Sequence, residues 1–254
     1  MATVGEIYNL IDKIAPFENS FKFDNVGILV GDAAATVKRI GVCLDITKEV
    51  VEKAVENECD LIVAHHPVIF NKLSSITAES VPYKLIKHGI SAICAHTNLD
   101  SATGGVNDRL AITLGVENAT RLVDENYDEG IEMARIGTIE PKTPYGFVEF
   151  VKSQLQSPDV RYIEGSRIIN RVCVYGGAGN DFILQAKAAG ADAFVTSEIK
   201  HHQWLEAKDL DITVIDAGHF STENLVVKPL ALLLKDKLDC DVRIISQNPP
   251  YKAL

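Results

Sequence analysis

Short apolar runs alternate with segments of helical period along this chain, and the alternation constrains the fold more than any other feature. The runs cover residues 39–45, 60–66, 90–96, 171–177, 191–197 and 211–219. Continuous apolar runs of this length between helices are typical of strands buried on both faces of a sheet. The sequence therefore predicts an α/β protein with mixed β-sheets flanked by helices.

An internal repeat indicates that the chain has two related halves. Residues 39–66 align with residues 171–198 without a gap, and five of the 28 pairs are identical, including Asp60 with Asp192. Residues 90–97 resemble residues 212–219 in the same way. Because the order of strand and helix also matches, we interpret the chain as two related α/β halves. We predict one domain over 1–125 with 205–254, carrying the candidate site, and a second over 126–204.

Composition and sequence pattern argue against several classes of protein. The formal net charge of −10 argues against a nucleic-acid-binding protein, which usually has a basic face. No apolar run approaches the roughly 18 residues of a membrane span, and the first residues lack the pattern of a signal peptide. We therefore expect a cytoplasmic protein that does not bind membranes. The five cysteines have no CxxC spacing, so we expect reduced thiols.

Two adjacent histidines, His65 and His66, end the apolar run 60–66 directly before Pro67. Proline cannot continue a central strand, so the pair lies at the strand's end, where ligands bind in open α/β sheets. Two adjacent imidazoles at the end of an apolar strand are unfavourable unless they have a function, and this favours metal ligation. The alternative is two solvent-tolerant histidines in a turn.

Two further strand ends carry possible ligands. His96 and Asp100 follow the run 90–96, and His219 and Glu223 follow the run 211–219 at a spacing of four residues. On a helix this spacing places both side chains on one face. Asp100 as a helix N-cap and His219 with Glu223 as an exposed helix pair are the alternatives. Three imidazoles (His65, His66 and His219) and two carboxylates exceed the ligands of one catalytic zinc but suit two ions with a bridging carboxylate.

Other polar residues are weaker candidates. His96 could transfer a proton or hold a ligand in place, or it could be structural. Glu198 occupies the repeat position of His66, and His201 or His202 could line the same cavity. A solvated helix start capped by Ser197 is the alternative. The glycine-rich segment 175–181 could contact an anion at a helix N-terminus, but a tight turn is the favoured explanation.

Four motifs together resemble the NIF3-like family, also called dinuclear-metal-centre proteins or GTP cyclohydrolase 1 type 2 homologues. They are "FDNVGILVGD" (23–32), "AHHP" (64–67), "AHTNLD" (95–100) and "GHFSTE" (218–223). The resemblance runs along essentially the whole chain, and Phe23 stands where many members have tryptophan. It implies a two-domain NIF3-like α/β fold and the short form of the family, without a PII-like insertion. It also implies a toroidal hexamer and a dinuclear site with His65, His66, Asp100, His219 and Glu223 as ligands.

These residues predict a metal-dependent hydrolase that activates water between two divalent ions and acts on a small molecule. Nitrogen and oxygen ligands without thiolates suit Zn, Fe, Mn, Co or Ni. The family name adds ring opening of GTP, so nucleotides are candidate substrates. His96 and Glu198 are the candidate catalytic residues. The alternative function is a non-enzymatic metal-handling or regulatory protein, and the sequence leaves turnover open.

Overall fold

The computed structural model describes residues 1–127 and 129–252 and divides into two compact units. Unit 1 contains Met1–Ala102 and Val226–Asn248, and unit 2 contains Thr103–Leu225 together with the residues from Pro249 onward. Among the described residues, none of the helices combines the length and the apolar character needed to cross a bilayer.

The helices and strands follow one another in three stretches of chain. Unit 1 begins with β1 (Ala2–Thr3), α1 (Val4–Ile14), β2 (Gly27–Val30), β3 (Thr36–Val37), β4 (Arg39–Cys43), α2 (Lys48–Glu56), β5 (Leu61–Ala64), α3 (Val81–Lys87), β6 (Ser91–Cys94) and α4 (Thr97–Ser101). Unit 2 contains α5 (Val106–Thr113), β7 (Glu117–Val123), β8 (Glu132–Lys142), α6 (Pro144–Leu155), β9 (Arg161–Ile163), β10 (Ile169–Val174), α7 (Ile183–Ala188), β11 (Ala193–Thr196), α8 (His201–Asp209), β12 (Thr213–Asp216) and α9 (His219–Glu223). Unit 1 is completed by α10 (Val227–Lys237) and β13 (Asp241–Ile244).

The sheet of unit 1 has the strand order β13-β4-β5-β6-β2. Its first four strands are parallel and β2 is antiparallel to β6, so the sheet is mixed. Every residue of β5 and β6 is buried, as the continuous apolar runs predict. A core cluster beneath the sheet includes Val50, Val51 and Ala54 of α2, whose apolar positions recur at helical spacing.

The sheet of unit 2 has the strand order β7-β8-β10-β11-β12-β9. Strands β10, β11 and β12 are parallel, and the other three pair antiparallel with their neighbours. Helix α6 buries Phe147, Val148 and Val151 in the core of this unit. Two mixed sheets with flanking helices confirm the predicted α/β class.

The repeat predicted from the sequence recurs in the strand register. Ile40 pairs with Leu61 in unit 1, and Val172 pairs with Ala193 in unit 2, which are the same positions at an offset of 132. The two aspartates of the repeat also make the same hydrogen bonds. Asp60 accepts from the backbone amides of residues 38 and 39, and Asp192 accepts from those of residues 170 and 171.

The compact units differ in extent from the predicted domains 1–125 with 205–254 and 126–204. Strand β7 pairs with β8, which pairs with β10, so residues 103–125 lie in unit 2. Strand β12 pairs with β11, which brings residues 205–225 into the same unit. The candidate ligands are therefore divided, with His65, His66 and Asp100 in unit 1 and His219 and Glu223 in unit 2.

Candidate metal centre

His65 and His66 follow the last residue of β5, at the carboxyl end of the unit 1 sheet. Nδ1 of His65 lies 2.9 Å from the carbonyl oxygen of Ala95, and Nδ1 of His66 lies 2.7 Å from Oδ1 of Asp45. A carbonyl oxygen only accepts, so Nδ1 of His65 donates, and Nε2 is the nitrogen that would bind a metal.

His96 lies beside this pair, because β6 is parallel to β5 and ends at the same edge. Its ring centroid is 5.2 Å from that of His65 and 5.5 Å from that of His66. One ring nitrogen from each of the three histidines lies within 4.8 Å of the other two. This grouping is what a metal ligand or a proton-transferring group beside a metal requires.

Asp100 lies inside α4, and His96 precedes that helix, so the alternative of Asp100 as an N-cap is wrong. Oδ1 of Asp100 is 3.5 Å from Nε2 of His65, and both side chains are buried. A carboxylate oxygen and an imidazole nitrogen at this distance could both bind the same divalent ion.

Asp24 holds His96 in place. Its Oδ1 is 2.9 Å from Nδ1 of His96, and its Oδ2 accepts from the amide and the hydroxyl of Thr97. Burial opposes ionisation, but the hydrogen bonds with His96 and Thr97 outweigh it and lower the pKa of Asp24 to about 2. Asp24 therefore remains a carboxylate that orients the imidazole, as carboxylates commonly do when they hold the second ring nitrogen of a metal-binding histidine.

Asp45 and Gln247 form a support that sequence reasoning missed. Asp45 contacts Nδ1 of His66, and Oε1 of Gln247 accepts from the backbone amides of Leu44 and Asp45 at 3.0 Å each. Gln247 thus fixes the backbone that carries Asp45. The only sequence signal is that Asp45 follows an apolar run, as the candidate ligands do.

In unit 2, His219 and Glu223 are the first and last residues of α9, which confirms the helical spacing. Nε2 of His219 is 2.9 Å from Oε2 of Glu223, and its Nδ1 is 2.7 Å from Oε1 of Glu198. Burial would lower the pKa of His219, but hydrogen bonds with Glu198 and Glu223 raise it to about 11. A metal binding at Nε2 must displace this proton.

An uncommon backbone conformation at Glu198 accompanies its contact with His219. Its φ is +60°, in the left-handed region that residues other than glycine rarely adopt. Such conformations persist where the surrounding structure enforces them, often at functional sites. Glu198 therefore orients His219 as Asp24 orients His96.

The glycine-rich segment 175–181 supports Glu223 and leaves little room for an anion. The amide of Gly177 donates to Oγ1 of Thr222, and the amide of Gly176 donates to Oδ1 of Asn107. Gly177 has φ +66°, and a Cβ at this position would collide with Oε1 of Glu223. These contacts favour the tight turn over the phosphate site.

His201 and His202 are exposed on the first turn of α8. Ser197 does not cap that helix, since Lys200 precedes it and the Ser197 hydroxyl donates to the carbonyl oxygen of Gly177. That alternative from the sequence is therefore wrong.

The donors within each unit fit a divalent ion of borderline hardness. In both units Nδ1 of each candidate imidazole is held by an oxygen, which is the usual arrangement of metal-binding histidines. Cys94 adds no thiolate, because burial raises its pKa and its Sγ donates to the carbonyl oxygen of His65. Imidazole and carboxylate donors suit Zn, Fe, Mn, Co or Ni.

Fold and donors together define a mixed α/β protein with candidate metal-binding groups of histidine and carboxylate. A family model described as Duf34/NIF3 (NGG1p interacting factor 3) matches residues 2–250. A relative from Clostridium perfringens, named GTP cyclohydrolase 1 type 2 homolog, is 33% identical over 248 residues, or 95% of each chain. This chain belongs to the Duf34/NIF3 family, which confirms the resemblance seen in its motifs.

Solved structures of similar proteins have the same fold. The crystal structure of a Staphylococcus aureus hypothetical protein matches with a TM-score of 0.91 and 29% identity over 99% of each chain. A Bacillus cereus protein related to NIF3 matches with a TM-score of 0.92 over 100% of this chain and 99% of its own, at 23% identity. The second match supports the fold alone.

We predict that Asp24→Asn lowers the free energy of unfolding by about 2 kcal/mol near pH 7. The pKa of Asp24 in the folded state is below its usual value of 3.8, so its stabilisation is complete above that value and is lost as the pH falls toward 2. About half of the difference should remain at pH 3. Urea unfolding at pH 7, 5 and 3 checks this, with Asp209→Asn on α8 as control. A difference independent of pH contradicts it.

We predict that Gly177→Ala weakens metal binding because the added methyl group displaces the carboxylate of Glu223. Gly115→Ala is the matched control, since its φ of +65° imposes the same backbone strain but its Cβ would meet nothing within 4 Å. Elemental analysis after dialysis should find less metal in Gly177→Ala only. Equal metal content in both variants contradicts the supporting role of Gly177.

Proposed function

We propose that this protein is a metal-dependent hydrolase that binds two divalent transition-metal ions through His65, His66, Asp100, His219 and Glu223. The observation that best supports the proposal is the group of His65, His66 and His96, whose ring nitrogens lie within 4.8 Å of one another. When bound, a pair of such ions lowers the pKa of a water molecule and polarises the bond to be cleaved.

Each of the five side chains would supply a ligand atom to the ions. His65 and His66 each offer an Nε2, and different neighbours hold their Nδ1 atoms, so each imidazole is oriented independently. Asp100 and Glu223 are the carboxylates available to bridge two ions. Glu198 positions His219 through Nδ1.

His96 is proposed to hold and move a proton at Nε2 during the reaction. Asp24 fixes its Nδ1, and the low pKa of Asp24 keeps that partner ionised. This carboxylate–imidazole pair is a common arrangement for general acid–base catalysis. His96 therefore differs in role from His65 and His66, although the three rings are neighbours.

The substrate is proposed to be a small molecule with a hydrolysable bond. GTP is the first compound to test, because curated relatives carry the name GTP cyclohydrolase 1 type 2 homolog. The net charge of −10 repels an anion at long range, and bound ions would offset this repulsion for a nucleotide. The toroidal hexamer and the cytoplasmic location stay predictions.

We predict about two transition-metal ions per chain in protein purified without a chelator. Glu223→Ala should lose more than half of this metal, because a bridging carboxylate serves both ions. Glu164→Ala, an exposed carboxylate of unit 2, is the control and should keep its metal. Elemental analysis gives the stoichiometry, and one ion or none in the wild type contradicts a dinuclear centre.

We predict turnover by the metal-loaded protein against at least one of GTP, other nucleotides, phosphoesters and cyclic amides. His66→Ala should abolish turnover together with metal binding. His96→Ala should keep the metal and slow turnover by roughly 10²- to 10⁴-fold, the usual contribution of a general acid or base. His88→Ala, an exposed histidine after α3, is the control.

An absence of turnover with every metal and substrate would contradict the hydrolase and favour the metal-handling alternative. Loss of metal in His96→Ala would contradict only the proton-transfer role and would assign His96 to the ligands.

A further inference from the structure

Two half-exposed phenylalanines lie beside the histidine group of unit 1. The exposed fraction is 51% for Phe23 and 47% for Phe70. Phe23 stacks on the buried Phe21 with ring centroids 5.4 Å apart, and it meets Phe70 at 6.5 Å with the ring planes inclined at 62°. Small-molecule sites are lined largely by apolar and aromatic side chains.

The loops that carry these rings are tied together. Phe23 belongs to the loop before β2, and Phe70 belongs to the irregular segment 67–80 after β5. Nδ2 of Asn25 donates to the carbonyl oxygen of Ile69 at 2.5 Å, which joins the two loops next to the rings. The amide of Phe21 donates to Oγ1 of Thr97 on α4. The loops that carry the rings are therefore anchored before any ligand arrives, which lowers the entropic cost of binding.

The phenyl rings continue directly into the histidine group. The ring of Phe70 meets that of His96 at 6.4 Å, with the planes inclined at 83°. His96 in turn contacts His65 and His66. A group stacked on Phe23 or Phe70 would thus place its edge close to the imidazoles to which the hydrolytic chemistry is assigned.

A flat ligand matches this arrangement better than a chain-like one. A planar ring can stack on the face of one phenyl group and meet the other edge-on, which are the two favourable aromatic geometries. Phenylalanine offers no hydrogen bond, so the rings supply affinity for a π-face and leave polar recognition to the imidazoles. Stacking on aromatic side chains is strong for any nucleobase and tolerant of its identity.

We infer that Phe23 and Phe70 form an aromatic subsite that stacks the planar heteroaromatic ring of the substrate against the histidine group. This inference rests on the proposed function, and it adds the class of substrate: a compound whose hydrolysable bond lies in or next to such a ring.

Binding of nucleotides to the metal-free protein tests the subsite. Guanosine 5′-monophosphate and uridine 5′-monophosphate are compared with ribose 5-phosphate, which lacks the base, by isothermal titration calorimetry. Both nucleotides should bind the wild type more tightly than ribose 5-phosphate does. Phe23→Leu and Phe70→Leu should each weaken nucleotide binding by about fivefold or more and leave ribose 5-phosphate unaffected. Tyr83→Leu, an exposed aromatic of α3, is the matched control and should have no effect.

Three results from the binding and light-scattering measurements would overturn the inference. They are equal affinity for nucleotide and ribose 5-phosphate, unchanged nucleotide binding in both phenylalanine variants, and a smaller assembly of both variants in light scattering. The last result would assign the rings to contact with a second copy of the chain. Because binding is measured without metal or turnover, base-dependent binding without hydrolysis contradicts only the proposed function. Hydrolysis that is insensitive to both substitutions contradicts only the subsite.

Discussion

The parallel register of β4, β5 and β6 determines where the candidate ligands of unit 1 lie. Ala64 pairs with Cys43 on one side and with Cys94 on the other, so the three strands end at the same level. The residues that follow are Asp45, the pair His65 and His66, and His96. One hydrogen-bonded ladder thus brings three imidazoles and a supporting carboxylate to one edge, where open α/β sheets bind ligands.

The same ladder recurs in unit 2 with different chemistry at its end. The repeat equivalents of His65 and His66 are Ser197 and Glu198. Ser197 donates to the carbonyl oxygen of Gly177, and Glu198 turns into the left-handed region to hold His219. The two halves therefore share the backbone that positions these residues and differ in the side chains, so that the first half carries candidate ligands where the second carries Ser197 and Glu198.

Strands and candidate ligands were predictable because their signals are local. Apolar runs identified six strands with parallel neighbours (β4, β5, β6, β10, β11 and β12), and polar residues at or after their ends identified His65, His96 and His219. The contact between Gln247 and Asp45 was not predictable, because it joins residues 202 positions apart and depends on the path of the chain after β13. The role of Gly177 depends likewise on the packing of α9 against a distant turn.

The extent of the units was harder to predict from the sequence, because it too depends on contacts between residues that are far apart along the chain. Strands β7 and β12 lie in stretches that continue the first predicted domain along the chain, and nothing in their sequence names their partners. Hydrogen bonds pair β7 with β8 and β12 with β11, and this pairing places both strands in unit 2. Such hydrogen bonds join segments that are separate in the sequence. Local patterns thus identify elements, whereas pairing between elements identifies units.

The adjacent histidines show how neighbouring residues at a strand end can be oriented by separate supports. Side chains of successive residues in extended backbone diverge, and here His65 contacts Ala95, just after β6, while His66 contacts Asp45, two residues after β4. Each Nδ1 is bound to its own neighbour, and the ring planes are inclined at 44° with centroids 4.9 Å apart. One ring nitrogen of each nevertheless lies within 4.8 Å of the other and of a ring nitrogen of His96. Separate supports thus orient two divergent imidazoles so that both present a nitrogen at the same edge of the sheet, as a candidate metal-binding group requires.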